Sequence, residues 1–193
     1  MSPDRPPFDD FAIGRIVLLG YMCSGKSTVG KALARRLEWP LVDFDLEIER
    51  REGRPVAAII DERGEEYFRA LEAALTEEIS AEPGLVLAPG GGWITRPELL
   101  ERIRPGTLAV WLRVSPEETV RRLLRDGAGR PLYDHPDPLT PVQGMIAERE
   151  PLYRLADLTT TGDGRTAEEV AFEIEQIART RGVLRTSRGG WSE

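Results

Sequence analysis

Apolar runs and helical repeats alternate along most of this chain. RIVLLG at 15–20 has the length and continuity of a strand buried on both faces. After it, Val29, Ala32, Leu33 and Leu37 recur near helical spacing and predict a helix over 24–37. PLVDFD at 40–45 predicts a second strand. A short helix over 46–53 follows, stopped by Gly53, then another over 55–64 with Pro55 at its start and Gly64 at its end. A longer helix over 65–80 puts Phe68, Leu71, Leu75 and Ile79 on one face. GLVLAPGGG at 84–92 is a third strand running into a glycine loop. The helix expected over 95–104 opens with Thr95 and Glu98 in capping-box register and Pro97 in its first turn. A fourth strand at 107–114 leads to a helix over 115–126 that opens with Ser115, Pro116 and Glu118. Residues 126–141 are turn-rich and irregular. A helix over 142–156, interrupted by Pro151, a fifth strand at 157–162 and an amphipathic helix over 166–180 complete the pattern.

Five short strands separated by helices predict an α/β fold, a parallel sheet covered by helices on both faces. Sheets of this kind bind ligands at the carboxyl ends of their strands. Residues 1–14, rich in Pro and Asp, predict a disordered lead-in, and 183–193 a flexible tail, which leaves 15–182 as a single domain.

Composition narrows the setting. The chain has 193 residues, 40% of them hydrophobic, enough for one ordinary core. No apolar stretch approaches the roughly 20 residues of a membrane span. No charged-then-apolar leader is visible, so the expectation is a soluble cytoplasmic protein with no membrane partner. Cys23 is the single cysteine, which excludes an intrachain disulfide and a multi-cysteine metal site. The formal charge is −7 with no basic run, which argues against a nucleic-acid partner. Lys26 and Lys31 are the only lysines, and the remaining basic residues are arginine.

The chemistry begins at GYMCSGKST, 20–28. Gly, four spacers and Gly-Lys-Ser form the spacing of a phosphate-binding loop, here between a strand and a helix as that loop requires. Gly20 and Gly25 allow the sharp turn, Lys26 reaches terminal phosphates, and Ser27 offers a hydroxyl to Mg²⁺. In VDFD, Asp43 and Asp45 stand two apart, so on a strand they point the same way. Such a pair either serves a cation and a reacting hydroxyl or is a solvated strand end. Arg69 and Glu72 are an i, i+3 helix pair, by themselves no more than a surface ion pair. Gly90, Gly91 and Gly92 mark either a close backbone approach or a plain loop. Arg125 and Arg130 lie in or beside the Gly- and Pro-rich excursion, suited to a lid closing over a triphosphate or to a solvated loop. Arg149 follows on the next helix. His135, the one histidine, reads as a solvated residue of the excursion, since phosphoryl transfer needs no histidine base.

In this order and spacing, GKST, DFD, GEEYFRALE, GGG, RPL and R-x-PLY resemble the shikimate kinase family from about 16 to 179. The resemblance implies a P-loop NTPase-type three-layer α/β sandwich with a mobile lid near 126–141. It implies transfer of the γ-phosphate of ATP to the 3-hydroxyl of shikimate, on the route to chorismate and the aromatic amino acids. Carried over by position, the loop residues Cys23, Ser24, Gly25, Lys26, Ser27 and Thr28 bind ATP, with Arg125 near the adenine and Arg130 at the phosphates. Ser27 and, through water, Asp43 serve Mg²⁺. Asp45, Arg69, Gly90, Gly91, Gly92 and Arg149 bind shikimate, with Glu72 orienting Arg69. Lys26, Asp45 and Arg130 are the catalytic set, in a monomer. Three positions depart from the family pattern: Cys23 where Gly is usual, Trp93 where a small residue follows the glycines, and Tyr133 where Leu is usual. An indole at 93 turned inward would crowd the acceptor pocket. Two other readings share parts of the pattern. A small-molecule kinase of the gluconate kinase type would share Lys26 without calling for Asp45, Arg69, the glycines and Arg149 together. A non-catalytic nucleotide-binding regulator would tend to lose Lys26 or Asp43.

Overall fold

Every residue of β1 (Arg15–Leu19) is buried, so both faces of this strand need a covering layer. The computed structural model describes residues 13–126, 132 and 134–182. Within them, β1, β2 (Leu41–Asp43), β3 (Leu85–Ala88), β4 (Thr107–Arg113) and β5 (Leu158–Thr161) form one parallel sheet in the order β2-β3-β1-β4-β5. Val17 lies opposite Leu87 and Ala109, and Leu19 opposite Trp111. Arg130 and most of the expected lid's first half, 127–131 and 133, lie outside the described residues, as do the chain ends 1–12 and 183–193.

Alternation along the strands separates two cores. Ile16, Leu18, Val86, Leu108 and Val110 face α1 (Lys26–Leu37) and α8 (Ala167–Arg181), which contribute Val29, Leu33, Val170 and Ile174. Val17, Leu19, Leu85, Leu87 and Trp111 face the opposite layer. That layer holds α2 (Phe44–Glu52), α3 (Val56–Arg63), α4 (Glu65–Ile79) and α5 (Pro97–Ile103). Tyr153, at the end of α7 (Leu139–Tyr153), stacks on Trp111 with ring centroids 5.7 Å apart. The expected three-layer α/β architecture is what the chain adopts. Connections leave β1 and β3 in opposite directions along the sheet, which opens a crevice beyond their carboxyl ends.

Local differences from the pattern have physical causes. Strand β2 stops at Asp43 because the Asp43 carboxylate caps α2, accepting from Leu46 N at 3.4 Å. Asp45 therefore sits in the first turn of a helix, not beside Asp43 on one strand face. The box expected at Thr95 does not form. Thr95 is drawn into a 3₁₀ turn over Trp93–Thr95, where its hydroxyl donates to Gly92 O at 2.7 Å, and Arg96 is the residue before α5. The box at α6 (Pro116–Asp126) is half made. Ser115 Oγ accepts from Glu118 N, while Glu118 turns to Arg121 and Arg122. A complete capping box opens α8, between Thr166 and Glu169. Ile13 is buried and Gly14 already bonds Gly106, so the domain's hydrogen bonding begins before β1.

Arg15 anchors the end of the sheet away from the crevice. It is 7% exposed, and burial pushes its pKa below the usual arginine value. Its guanidinium donates to Glu82 O, Pro105 O and Ile103 O and to the Thr107 hydroxyl. Replacing it with Met keeps much of the stem but strands these acceptors. Arg15→Met is expected to lower unfolding stability by about 1–3 kcal/mol, read from the urea midpoint. An unchanged midpoint would show that these groups find other partners.

Candidate active site

The chain leaves β1 and turns through 20–25 into α1. Gly25 precedes the helix at φ 96 and Cys23 stands at φ 58, both left-handed. Behind the turn, the first amides of a 12-residue helix are aimed at the crevice, the arrangement that binds anions. Lys26 Nζ folds back over the loop, donating to Gly20 O at 2.8 Å and Tyr21 O at 3.0 Å. Ser27 and Thr28 are exposed on the first turn, whereas Ser24 is buried beneath the loop. Arg122, from α6, pins the loop from another side. It donates to Cys23 O and Ser24 O at 3.4 and 3.3 Å and to Gly162 O, just past β5, at 2.6 Å.

The three glycines after β3 are where the rest of the site converges. A Cβ on Gly90 would come within 2.9 Å of Glu72 Oε1 and 3.2 Å of Asp45 Oδ1. On Gly91 it would lie 3.1 Å from Met22 N, in the phosphate loop. On Gly92 it would run into the Arg69 guanidinium. Space for the Arg69 guanidinium, not backbone conformation, favours glycine at 92, whose φ is an ordinary −93°. Gly91 O accepts from Arg149 Nη1 at 3.3 Å and from the Tyr153 hydroxyl at 3.1 Å. Two arginines from different helices, α4 and α7, thus meet one loop beside Asp45. The Arg149 guanidinium lies 5.6 Å from the Tyr21 ring centroid, tying this end to the phosphate loop. Burial pushes the Tyr153 hydroxyl up to about 12, against the pull of Arg149, so it stays a donor.

Comparison with known proteins agrees with this geometry. The shikimate kinase family model matches residues 22–179. A shikimate kinase of Moorella thermoacetica is 39% identical over 166 residues, 86% of this chain and 95% of that one. One from Thioalkalivibrio sulfidiphilus is 40% identical over 165 residues, 85% of this chain and 86% of its own. The chain belongs to the shikimate kinase family. Among solved structures, shikimate kinase from Acinetobacter baumannii in complex with shikimate superposes with a TM-score of 0.80 at 34% identity, covering 87% of this chain and 94% of that one. A gluconokinase from Sinorhizobium meliloti superposes at 0.57 with 20% identity over 87% and 95%, a likeness of fold only.

In this member of the shikimate kinase family, the loop residues 23–28 come together at one end of the crevice. Asp45, Arg69, the three glycines and Arg149 come together at the other. Asp43 is spent in part on capping α2. Arg125 lies exposed one turn beyond Arg122. The bridging role of Arg122 was missed in the sequence, where it stands in an arginine-rich helix with nothing in its spacing to single it out. Trp93 does not enter the crevice: it is 1% exposed, in the core layer with Phe44.

Glu72 is not the surface partner its spacing allows. It is fully buried, its Oε2 accepts from Arg69 Nη1 at 2.7 Å, and its Oε1 is without a hydrogen-bond partner among the described residues. Burial raises its pKa above the usual glutamate value, Arg69 opposes that, and the Asp45 and Glu65 charges add to it. Burial also works against the Arg69 charge, but the bonds to Glu72 and Glu65 outweigh it and hold the guanidinium charged.

Two tests follow from this geometry. The left-handed backbone at Cys23 costs about 1–2 kcal/mol for a residue with a Cβ, partly offset by the extra chain entropy of glycine, about 0.5–1 kcal/mol. Cys23→Gly is therefore expected to leave the urea midpoint unchanged or raise stability by up to about 1 kcal/mol. A clear loss would show that contacts of the thiol outweigh the strain. For Glu72, a folded pKa above the unfolded one means that the stability it lends is present below pH about 4.5. That contribution is lost as pH rises through the folded value. Glu72→Gln, neutral throughout, should gain stability relative to the parent chain as pH rises above about 4.5. A pH-independent difference in denaturation midpoints would contradict the raised pKa.

Proposed function

We propose that this chain transfers the γ-phosphate of ATP to the 3-hydroxyl of shikimate, giving shikimate 3-phosphate and ADP on the route to chorismate and the aromatic amino acids. The observation that carries this is the junction of a phosphate loop with a glycine loop gripped by two arginines. Membership in a family whose Acinetobacter baumannii relative was solved with shikimate points the same way. Shikimate is small, anionic and polyhydroxylated. Two guanidiniums match a carboxylate, and a planar fork does so bidentately where an ammonium cannot. Arg69, aimed by Glu72, and Arg149 take that carboxylate, while the glycines leave room for the ring.

The loop amides and Lys26 hold the triphosphate, and Lys26 exchanges the carbonyls of Gly20 and Tyr21 for phosphate oxygens. The Ser27 hydroxyl and, through water, the Asp43 carboxylate would hold Mg²⁺, which takes hard oxygen donors. Among the described residues no cluster of three or more His, Cys, Asp or Glu could hold a metal, which suits an ion carried largely by the nucleotide. When bound, that ion neutralises phosphate charge. Asp45 accepts a hydrogen bond from the attacking hydroxyl. Phosphoryl transfer is loose in its transition state, so positioning and charge neutralisation supply most of the rate and Asp45 need not be a strong base. Arg125 near the adenine and Arg130 at the phosphates complete the set. The enzyme proposed here acts as a monomer. The expectation of a cytoplasmic enzyme stands beside the fact that no described helix is long and apolar enough to cross a membrane.

ADP release measured with purified protein, ATP and Mg²⁺ across shikimate, quinate and gluconate is expected to depend on shikimate. No such dependence would overturn the assignment. Asp45→Asn is expected to lower turnover by about 10²-fold or more with ATP affinity within a few-fold, and near-normal turnover would remove Asp45 from the chemistry.

A further inference from the structure

The residue that follows the glycines is one of the three that depart from the family pattern. Trp93 is almost fully buried, and its backbone N–H donates to Gly90 O at 3.1 Å. Its indole Nε1–H donates to Thr76 Oγ1 at 3.0 Å. Indole nitrogen can only donate, so Thr76 accepts there and turns its own proton to Glu72 O, at 2.8 Å. The ring meets Phe44 edge to face, with centroids 6.3 Å apart and planes at 78°. One rigid side chain therefore joins three segments. Its own backbone continues the glycine loop, Thr76 lies one turn from Glu72 on α4, and Phe44 is the residue before Asp45.

There is little slack between these parts. The Arg69 guanidinium lies so close to Gly92 that a Cβ there would have to displace it, and Glu72 Oε1 would lie 2.9 Å from a Cβ on Gly90. A small slide of α4 against the glycine loop would be felt at once by both side chains. We propose that Trp93 is a positioning residue for the acceptor half of the site. Through the relay of Trp93, Thr76 and the Glu72 carbonyl, it sets the turn of α4 that carries Arg69 and Glu72 in register with the glycine loop. The consequence for a carboxylate-bearing acceptor rests on the shikimate kinase assignment above, whereas the mechanical link does not.

The test has two arms. In the ligand-free protein, Trp93→Phe keeps a buried ring but removes the N–H, and Thr76→Val removes the hydroxyl. Each is expected to speed hydrogen exchange at the amides of residues 69–76, with α1 and α8 unchanged. In turnover assays each is expected to raise the shikimate KM about five- to tenfold, with the KM for ATP and kcat changed less than twofold. The double variant should be no worse than either single one, and Thr76→Ser, which keeps the hydroxyl, should restore the parent KM. Unchanged exchange at 69–76 would overturn the proposal. So would a parallel rise in both KM values, or additive effects in the double variant. If Trp93→Phe fails to fold, the Thr76 variants decide. If the parent chain does not turn over shikimate, the assignment falls and the exchange arm decides the mechanical link by itself.

Discussion

Beyond β3 the backbone passes the Arg69–Glu72 ion pair so closely that a Cβ could enter only by displacing it. Arg69 and Glu72 press on Gly92 and Gly90, and Gly91 lies against the backbone of the phosphate loop. From this contact the rest of the site follows. A larger residue at 90 or 92 would displace the carboxylate or the guanidinium. Arg149 and Tyr153 share the Gly91 carbonyl. Asp45, in the first turn of α2, is brought to the same place by the helix that its neighbour Asp43 caps.

Such an arrangement is not the most stable one open to the chain. Glu72 is a buried carboxylate, its pKa raised by burial and one oxygen unpaired among the described residues. Burying it costs free energy that Arg69 only partly returns. At the other end of the crevice, Cys23 holds a left-handed backbone that glycine would hold at no steric cost. Both ends of a two-substrate site thus carry local strain or desolvation, supported by a sheet with two hydrophobic cores. That is where departures from local consistency are expected in a folded enzyme.

The two halves of the site are linked by more than proximity. Arg149 lies over the Tyr21 ring of the phosphate loop while its guanidinium donates to the glycine loop. Arg122 ties the phosphate loop to the turn after β5. Trp93 ties the glycine loop to α4 and α2. Each link ends in a planar group that fixes direction as well as distance, which suits a reaction whose rate comes from placing two substrates in line.

Local physics was enough to read the elements from the sequence. The unbroken apolar run of β1 and the spacing of Val29, Ala32, Leu33 and Leu37 in α1 report burial through periods that belong to the chain alone. The phosphate loop was legible for the same reason, because its geometry is built from consecutive residues. Where a residue had two possible partners, the sequence could not choose. Asp43 and Asp45 looked like a strand pair until the cap on Leu46 ended β2, and Thr95 looked like a cap until the turn after the glycines claimed it. The burial of Glu72, the bridge made by Arg122 and the turn of Trp93 into the core were decided by tertiary structure alone. Each depends on contacts between segments 17 or more residues apart or on the packing of whole layers. Periodicity along the chain records which face of an element is dry, but not what stands opposite it.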